Sequence, residues 1–403
     1  MDSGESNNKG ETIEKKKDCN KIRKRRSSLI PKLGCFRSDD YDVPTVETSD
    51  DRGNLDMESA SAVENSLPTH LVIMVNGLNG SAQDWRYAAK QLIKRYPQDV
   101  IVHCSEANKT TLTFHGVDVT GSRLADEVIR VIERYPNVQK ISFIGHSLGG
   151  LIARYAIAKL YGRVIIQKAS QENGDSSEEP KDLFPQEKFK GKIAGLEPLN
   201  FITIATPHLG SRGHKQVPAL CGIYILENVV SHASWCLGKT GNHLFLRDGG
   251  KEKPPLLVQM ANDSGDLPFI SALQSFRRRV AYANVRFDHL VGWSTSSLRR
   301  RSELPNRKCF SRSAKYPHII NVEVAKTANT GEEMSLEAQV NRCKTMEEAM
   351  IRGLAKVSWE RVDVDFRGTK QRFFAHSTIQ VQSYCMNSDG ADVIQHMVDN
   401  FLL

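Results

Sequence analysis

Short apolar runs alternate with helical periods along the chain from His70 onwards. The runs LVIMV at 71–75, DVIVHC at 99–104 and KISFI at 140–144 predict buried strands. Between them, apolar residues at steps of three or four predict two amphipathic helices: Trp85, Ala89, Leu92 and Tyr96 in the first, then Leu124, Val128, Val131, Ile132 and Tyr135 in the second. Continuous apolar strands separated by such helices predict a mostly parallel central sheet with helices on both faces.

The same alternation continues to the carboxyl end of the chain. It predicts a helix at 148–161, strands at 200–205, 279–287 and 356–366, and a closing helix at 391–402. The chain thus has the element pattern of one large α/β domain.

Two stretches interrupt the alternation and predict insertions. The charged segment NGDSSEEPKD at 173–182 is typical of a surface excursion. The apolar segment 217–237 fits a lid over a binding site and fits an ordinary buried helix of a cap equally well. We predict a domain at 67–403 with cap-like or lid-like insertions near 163–199 and 211–262.

Residues 1–66 differ from the rest of the chain. They lack apolar periodicity and divide into a basic half at 15–37, which contains KIRKRR, and an acidic half at 39–64. Such a segment cannot bury enough apolar surface to fold, so a disordered tail is predicted. The basic half is compatible with a nuclear address, with a lipid-plus-charge anchor at Cys35, and with an untargeted tail.

Composition limits the class of protein. The 403 residues are 39% hydrophobic, enough for a sizeable core, and no apolar run approaches the ~18 residues of a spanning helix. The amino terminus has no apolar signal segment, which favours a cytoplasmic protein that is soluble or peripheral to a membrane, with nucleus and plastid left open. Eight cysteines include no C-x-x-C pair, so reduced packing residues are expected, and neither metal nor cofactor is predicted.

Charge is unevenly distributed. Residues 66–403 hold 43 basic and 33 acidic residues, a balance of +10. The densest basic clusters, at 277–279 and 299–301, fit contact with an anionic membrane, although solvated faces and helix ends explain them as well. No stacking aromatics are interleaved with them, so a nucleic-acid partner is not expected.

A glycine-flanked serine follows the third predicted strand. Gly145 and Gly149 bracket Ser147 in a G-x-S-x-G pattern that leads into a predicted helix. In a nucleophile elbow this strained turn lifts the serine Oγ above the sheet, and glycines leave room for the backbone. The competing interpretation is a glycine-rich turn of a nucleotide-binding or inactive α/β fold. Since no G-x-G-x-x-G or P-loop follows a strand, we expect Ser147 to be a nucleophile.

An acyl-transfer site needs donors for the oxyanion. In this arrangement they are backbone N–H groups, one directly after the nucleophile and one in the loop after an early strand. We therefore predict Leu148 as the first donor and Leu78, in the loop Asn76–Gly80, as the second. An ordinary strand-to-helix turn is the alternative for that loop.

The acid of a triad is expected after the nucleophile and at the end of a strand. Asp288 meets both conditions, because it ends the predicted strand at 279–287. A surface aspartate paired with Arg286 is the alternative. Asp263 and Asp266 lack a preceding strand and are weaker candidates.

The general base should come last in the chain. His376 occupies the loop after the predicted strand at 356–366 and is our first candidate, and His318 is the second. His289 adjoins Asp288, so the two side chains should diverge. His396 falls within an apolar helical period and is expected to pack. Two further histidines precede the acid and are expected to be structural or to line the site: His146 and His208.

Several blocks together resemble one known family. They are NGLNGSAQDW at 76–85, GHSLGGLIARYAI at 145–157, ATPHLGSRG at 205–213, TGNHLFLRD at 240–248 and FDHLVGWSTSSLRR at 287–300. The chain is similar over roughly 68–400 to a serine esterase and lipase family of α/β-hydrolases, particularly its plant members, with fungal Rog-type lipases as relatives. It departs from the commoner lipase pattern at Asn76, where histidine usually precedes the glycine.

The resemblance implies an α/β-hydrolase that cleaves carboxylic esters, acylglycerols or phospholipids among them, with Ser147, Asp288 and His376 as its triad. We predict a cofactor-free serine esterase or lipase with an ester or lipid substrate and peripheral contact with anionic membrane. The alternative is a catalytically silent α/β-hydrolase that serves as a binding or regulatory module. Intact triad candidates in the right order count against it.

Overall fold

A computed structural model describes the following residues: 45–49, 55–59, 67–163, 189–211, 237–250, 253–264, 267–308, 310–324 and 342–403. The strands in chain order are β1 (Thr45–Ser49), β2 (Leu55–Ser59), β3 (His70–Val75), β4 (Val100–Cys104), β5 (Lys140–His146), β6 (Glu197–Ile204), β7 (Asp263–Ser264), β8 (Leu267–Pro268), β9 (Arg278–Asn284), β10 (Ile319–Glu323) and β11 (Glu360–Val364).

The helices in chain order are α1 (Arg86–Arg95), α2 (Val117–Arg134), α3 (Leu148–Leu160), α4 (Gly238–Leu244), α5 (Leu256–Gln259), α6 (Phe269–Ser275), α7 (Trp293–Ser297), α8 (Arg342–Leu354), α9 (Ala375–Thr378), α10 (Tyr384–Asn387) and α11 (Ala391–Asp399). Short 3-10 helices precede α1 at Ala82–Trp85, α2 at Thr110–His115 and α9 at Lys370–Phe374. None of the described helices has the length and apolar character that a membrane span requires.

Nine of these strands form one sheet in the order β1-β2-β4-β3-β5-β6-β9-β11-β10. The six strands from β4 to β11 in that order are all parallel. Only the edges are antiparallel, where β1 and β2 join β4 and where β10 joins β11. This is the mostly parallel sheet of an α/β-hydrolase fold, and the predicted fold class is confirmed.

Helices cover both faces of the sheet, as the apolar pattern predicted. One buried cluster joins one face to α2, α3 and α6, and a second joins the other face to α1 and α11. The strands are buried on both faces, which is why they read as continuous apolar runs. Since the parallel strands share one direction, the loops after β3, β5, β9 and β11 emerge at the same edge of the sheet.

Two segments within residues 1–66, which the sequence predicts as a disordered tail, are strands in the structure. β1 and β2 lie within 1–66 and pair with each other, and β2 pairs with β4. Leu55 and Met57 alternate inward and are buried, but two apolar residues in an acidic stretch give too weak a periodicity to detect. The remaining parts of the tail lie outside the described residues, as do the segments 173–182 and 217–236.

Candidate active site

Ser147 lies in the turn between β5 and α3, with φ 52° and ψ −127°. A positive φ is costly for a residue with a Cβ, so the surrounding structure must hold it there. Its N–H donates a 2.8 Å hydrogen bond to the Ile204 carbonyl at the end of β6. The predicted strand, strained turn and helix therefore occur in sequence.

The glycines around Ser147 occupy positions with no room for a side chain. A Cβ on Gly145 would lie 2.6 Å from the Gly150 nitrogen, and one on Gly149 would lie 2.2 Å from the Val75 carbonyl oxygen. A Cβ on Gly77, in the facing loop, would lie 2.9 Å from the Ser147 Cβ. The loop after β3 and the turn that holds Ser147 are therefore in close contact, with no space for a side chain at Gly77.

Asp288 and His376 form a hydrogen-bonded pair. His376 Nδ1 donates to Asp288 Oδ2 at 3.0 Å, although the two residues lie on different loops, after β9 and β11. Asn284 Nδ2 also donates to Oδ2, at 2.9 Å, while the N–H groups of Leu290 and Val291 donate to Oδ1 at 3.0 and 2.8 Å.

The surroundings of Asp288 favour its carboxylate. Burial on its own raises the pKa of this carboxyl, but the charge of His376, with hydrogen bonds from His376, Asn284 and Val291, lowers it on balance. A carboxylate held this way can orient an imidazole and stabilise its protonated form.

His146, the residue before the serine, supports His376 from behind. Its Nε2 donates a 2.7 Å hydrogen bond to the His376 carbonyl oxygen, and the two rings lie 4.7 Å apart. Burial, followed by the charge of His376, lowers the pKa of His146 to about 3. The ring is therefore neutral, and the hydrogen bond identifies Nε2 as the protonated nitrogen. His146 therefore holds the backbone of His376 in place, and its side chain also lines the cavity of the site.

The loop after β3 offers backbone donors. Among the residues that the structure describes, neither the Leu78 N–H nor the Leu148 N–H has a hydrogen-bond acceptor. Asn76 Nδ2 donates to the Gly77 carbonyl at 3.1 Å and to the Asn108 carbonyl at 3.2 Å. The asparagine that replaces the commoner histidine thus ties this loop to the one after β4.

A cavity of about 370 Å³ joins these groups. Its lining includes Ser147, Leu148, Leu78 and His376. Further lining residues are Gly77, Asn79, Gly80, Asp84, Phe114, His146, Pro207, Leu237, Leu244, Leu290, Val291, Ser377 and Gln382.

Part of this lining is apolar and part is polar. The segment of Phe114 is fixed to α4, which carries Leu244, because Thr240 Oγ1 donates to the Thr113 carbonyl at 2.6 Å. The polar part includes Asp84, and burial raises the pKa of its carboxyl. It also includes Gln382, whose backbone N–H donates to the Ser377 carbonyl at 3.2 Å. The sequence did not single out either residue: Asp84 lies in the 3-10 helix Ala82–Trp85, and Gln382 in the loop between α9 and α10.

The weaker sequence candidates lie elsewhere. His318 pairs with Asp392 at 2.8 Å and is absent from the cavity lining. Asp263 accepts hydrogen bonds from the first turn of α6, at 2.7 Å from the Ile270 nitrogen. Three more histidines are packing or surface residues: His396 bonds the Tyr282 hydroxyl, His208 is buried beside Thr203, and His289 is exposed. Asp266 lies outside the described residues.

Comparison with known proteins places the chain in a family. Residues 65–298, more than half of the chain, match the family described as "Putative serine esterase (DUF676)". The chain belongs to this family. It is 33% identical over 233 residues to "Putative lipase ROG1" of Saccharomyces cerevisiae and 26% identical over 239 residues to "Putative lipase C4A8.10" of Schizosaccharomyces pombe.

The similarity to these relatives is partial. Each match covers 57% of this chain, but only 28% of the Saccharomyces cerevisiae protein and 26% of the Schizosaccharomyces pombe protein. The chain thus spans less than a third of the length of these curated relatives. The predicted likeness to fungal Rog-type lipases is confirmed, whereas the likeness to plant members stays a prediction.

Solved structures of esterases and lipases are also similar. Carboxyl esterase 2 from Tuber melanosporum aligns with a TM-score of 0.39 and 11% identity over 89% of each chain. Bacillus licheniformis lipase BlEst2 in its mature form aligns with a TM-score of 0.31 and 14% identity over 56% of this chain and 69% of its own.

Proposed function

We propose that the protein is a serine hydrolase of carboxylic esters, with Ser147 as nucleophile, His376 as general base and Asp288 as the acid that orients it. The single observation that supports this most directly is the 3.0 Å pair of His376 and Asp288 at a cavity that Ser147 also lines. A silent binding module would have no need for a strained serine beside such a pair.

In the proposed reaction Ser147 Oγ attacks the ester carbonyl carbon while His376 Nε2 takes the hydroxyl proton. The oxyanion accepts hydrogen bonds from the Leu78 and Leu148 N–H groups. His376 then gives its proton to the leaving alcohol, and an acyl-enzyme remains. Water, activated by the same imidazole, releases the acid and restores Ser147. Asp288 keeps Nδ1 protonated throughout, so that Nε2 is the atom that exchanges protons.

The substrate we propose is a lipid ester. Its acyl chain would lie against the apolar lining that includes Phe114, Leu237 and Leu244, while Asp84 and Gln382 face the polar part of the molecule. The basic balance of residues 66–403 supports contact with anionic membrane.

Active-site labelling tests the nucleophile. A fluorophosphonate probe should label the wild-type protein, and Ser147→Ala should remove both labelling and hydrolysis of p-nitrophenyl esters while the fold persists. Ser377→Ala is the matched control, since Ser377 is the other serine of the described cavity lining, and it should still be labelled. A wild-type protein that neither reacts with the probe nor turns over esters would support the binding-module alternative.

A further inference from the structure

Four large apolar side chains near His376 are exposed to solvent. Phe373 is 59% exposed, Phe374 65%, Tyr384 51% and Met386 66%. We call these four residues the aromatic rim. Exposed side chains of this size, when close together, mark a contact surface.

The aromatic rim belongs to two short helices that are fixed side by side. Phe373 and Phe374 end the 3-10 helix Lys370–Phe374, and the other two residues lie on α10. Gln371 joins these helices: its Nε2 donates to Ser388 Oγ at 3.1 Å, and its Oε1 accepts from the Asp389 N–H at 2.9 Å. The four side chains therefore form one patch.

Ring contacts hold the rim outward. Tyr384 stacks on Tyr87 with ring centres 5.1 Å apart. Phe373 packs edge-on against Phe287 at 6.2 Å, and the Arg372 guanidinium lies 4.8 Å from the Phe373 ring centre. Rigid aromatic side chains lose little conformational entropy when they bind, so this arrangement suits a docking surface.

The rim adjoins the lining of the cavity. His376 and Ser377 line the cavity and closely follow the residues of the first helix. Gln382 also lines the cavity, is itself exposed, and lies two residues before Tyr384. A surface that contacts the rim therefore lies next to the cavity that Ser147 lines.

The segment that carries the rim is basic in sequence, while Asp365, 3.8 Å from Arg367, and Asp389 lie just outside it. The segment 367–388, which carries all four rim residues, contains Arg367, Lys370 and Arg372 and no acidic residue. Lys370 and Arg367 are exposed. Aromatic and aliphatic side chains flanked by cations are the combination that partitions into the headgroup region of an anionic bilayer.

We propose that the aromatic rim is the surface by which this protein docks on an anionic lipid bilayer, with the cavity entrance facing the membrane. Phe373, Phe374, Tyr384 and Met386 enter the headgroup region, while Lys370 and Arg367 contact lipid phosphates. The proposal rests on the proposed function only for its purpose, the delivery of a lipid ester to Ser147. Docking itself is a binding event and is measured without turnover.

Vesicle flotation of the full-length protein tests the proposal. Vesicles of phosphatidylcholine with phosphatidylserine should carry the wild-type protein upward, and phosphatidylcholine alone should carry less. The double variant Phe373→Ser/Phe374→Ser should partition about tenfold less into the anionic vesicles. Lys370→Gln should weaken the preference for phosphatidylserine and reduce the effect of added salt.

The matched control is Leu402→Ala/Leu403→Ala, because these two residues are similarly exposed but lie at the opposite end of the sheet, where the Leu402 carbonyl accepts from Asn200 of β6. This control should float like the wild type, and all variants should unfold at the wild-type temperature. If the Phe373/Phe374 variant floats like the wild type, the proposal is overturned. Membrane contact would then have another cause, such as the tail at 15–37 or a protein partner. If the wild-type protein never floats, the proposal is also wrong, while probe labelling of Ser147 separately decides the proposed function.

Discussion

His376 and His318, the two candidates for the general base, each pair with an aspartate, and the proposed function depends on the difference between these two pairs. His376 pairs with Asp288 at the cavity, whereas His318 pairs with Asp392 of α11 and packs against Phe366, with ring centres 4.9 Å apart. The two pairs are chemically alike. Because His376 lines the same cavity as Ser147 and His318 does not, we propose that His376 takes the proton from Ser147.

Substitution of each histidine separates the two roles. His376→Ala should lower kcat for ester hydrolysis by about 10³-fold or more, because only this imidazole can generate the nucleophile. His318→Ala removes a partly buried pair that does not line the cavity and should change kcat little. Steady-state kinetics with one soluble ester gives both numbers, and a larger loss in the His318 variant would contradict the assignment.

The turn around Ser147 tolerates no added atom at Gly149. Because an alanine Cβ there would meet the Val75 carbonyl oxygen at 2.2 Å, backbone must move, and Gly149→Ala should destabilise the fold by about 2 kcal/mol or more and abolish turnover. Gly250→Ala is the control, since nothing lies within 4 Å of a Cβ there. Denaturant unfolding should show a change below about 0.5 kcal/mol in the control. Equal effects of the two substitutions would contradict the packing argument.

The sequence was sufficient for the groups that follow strands directly. Ser147 and Asp288 each come after an apolar run, and the order of the triad then points to His376. The sequence predicted that His146 is structural or lines the site, but not its hydrogen bond to the His376 carbonyl 230 positions away, and it did not single out Asp84, which accepts from the Ser81 N–H and lines the cavity. Such contacts depend on the conformations of loops, and the hydrophobic periodicity of the sequence does not predict them.

Strand β2, which lies between β1 and β4 near one edge of the sheet, is held by a buried group of charges. Asp56 pairs in register with His103 of β4, and its carboxylate also binds Arg134 at the end of α2 and the Tyr135 hydroxyl. On the other side, His103 Nε2 lies 3.3 Å from Glu127 Oε1. A protonated imidazole between two carboxylates thus links β2, β4 and α2.

This group makes stability depend on pH. Burial alone would lower the pKa of His103, but the hydrogen bonds to Asp56 and Glu127 outweigh it and raise the pKa to about 9. The unfolded chain titrates near 6.5, so the stabilisation is complete below that pH and is lost as pH rises towards 9. Burial raises the pKa of Glu127, yet contact with His103 lowers it on balance, so its contribution is lost in acid.

His103→Gln should therefore lower the free energy of unfolding by about 3 kcal/mol or more at pH 6, because buried Glu127 loses its cation and buried Asp56 keeps only Arg134. The decline in wild-type stability between pH 6.5 and 9 should flatten in the variant. Denaturant titrations across this range measure both effects. The exposed His289→Gln should behave like the wild type. A variant with an unchanged pH profile would mean that His103 does not carry the charge.

The strands at and near the edges of the sheet could not be predicted from the pattern of apolar residues. The central strands were predictable because burial on both faces makes each of them a continuous apolar run. β1 and β10 are the edge strands and β2 lies next to β1, and the three have the mixed sequences TVETS in β1, LDMES in β2 and IINVE in β10. Charged side chains at an edge protect it from pairing with other chains, and they also erase the apolar signal.

At the scale of the whole sheet, the residues of the proposed active site lie at one edge. The loops after the parallel strands gather Ser147, Asp288 and His376 at one edge of the sheet, and the aromatic rim adjoins the lining of the cavity there. In sequence, the segment 217–237 follows the loop after β6, which emerges at this same edge. Apart from Leu237, which lines the cavity, the segment lies outside the described residues. The predicted lid and the proposed docking surface would therefore act on one entrance.

If the predicted lid and the proposed docking surface both act at the cavity, the rate of ester hydrolysis should respond to a lipid surface. Hydrolysis of a long-chain ester should rise when anionic vesicles are added, because docking brings the entrance to the lipid and favours displacement of an apolar cover. The rise should fade with salt, since the +10 balance of residues 66–403 is screened beyond about 10 Å at 0.1 M ionic strength. A short soluble ester is the control and should be hydrolysed at the same rate with and without vesicles. Vesicle-independent turnover that favours short esters would instead indicate an esterase of soluble substrates, with 217–237 packed as an ordinary part of the cap.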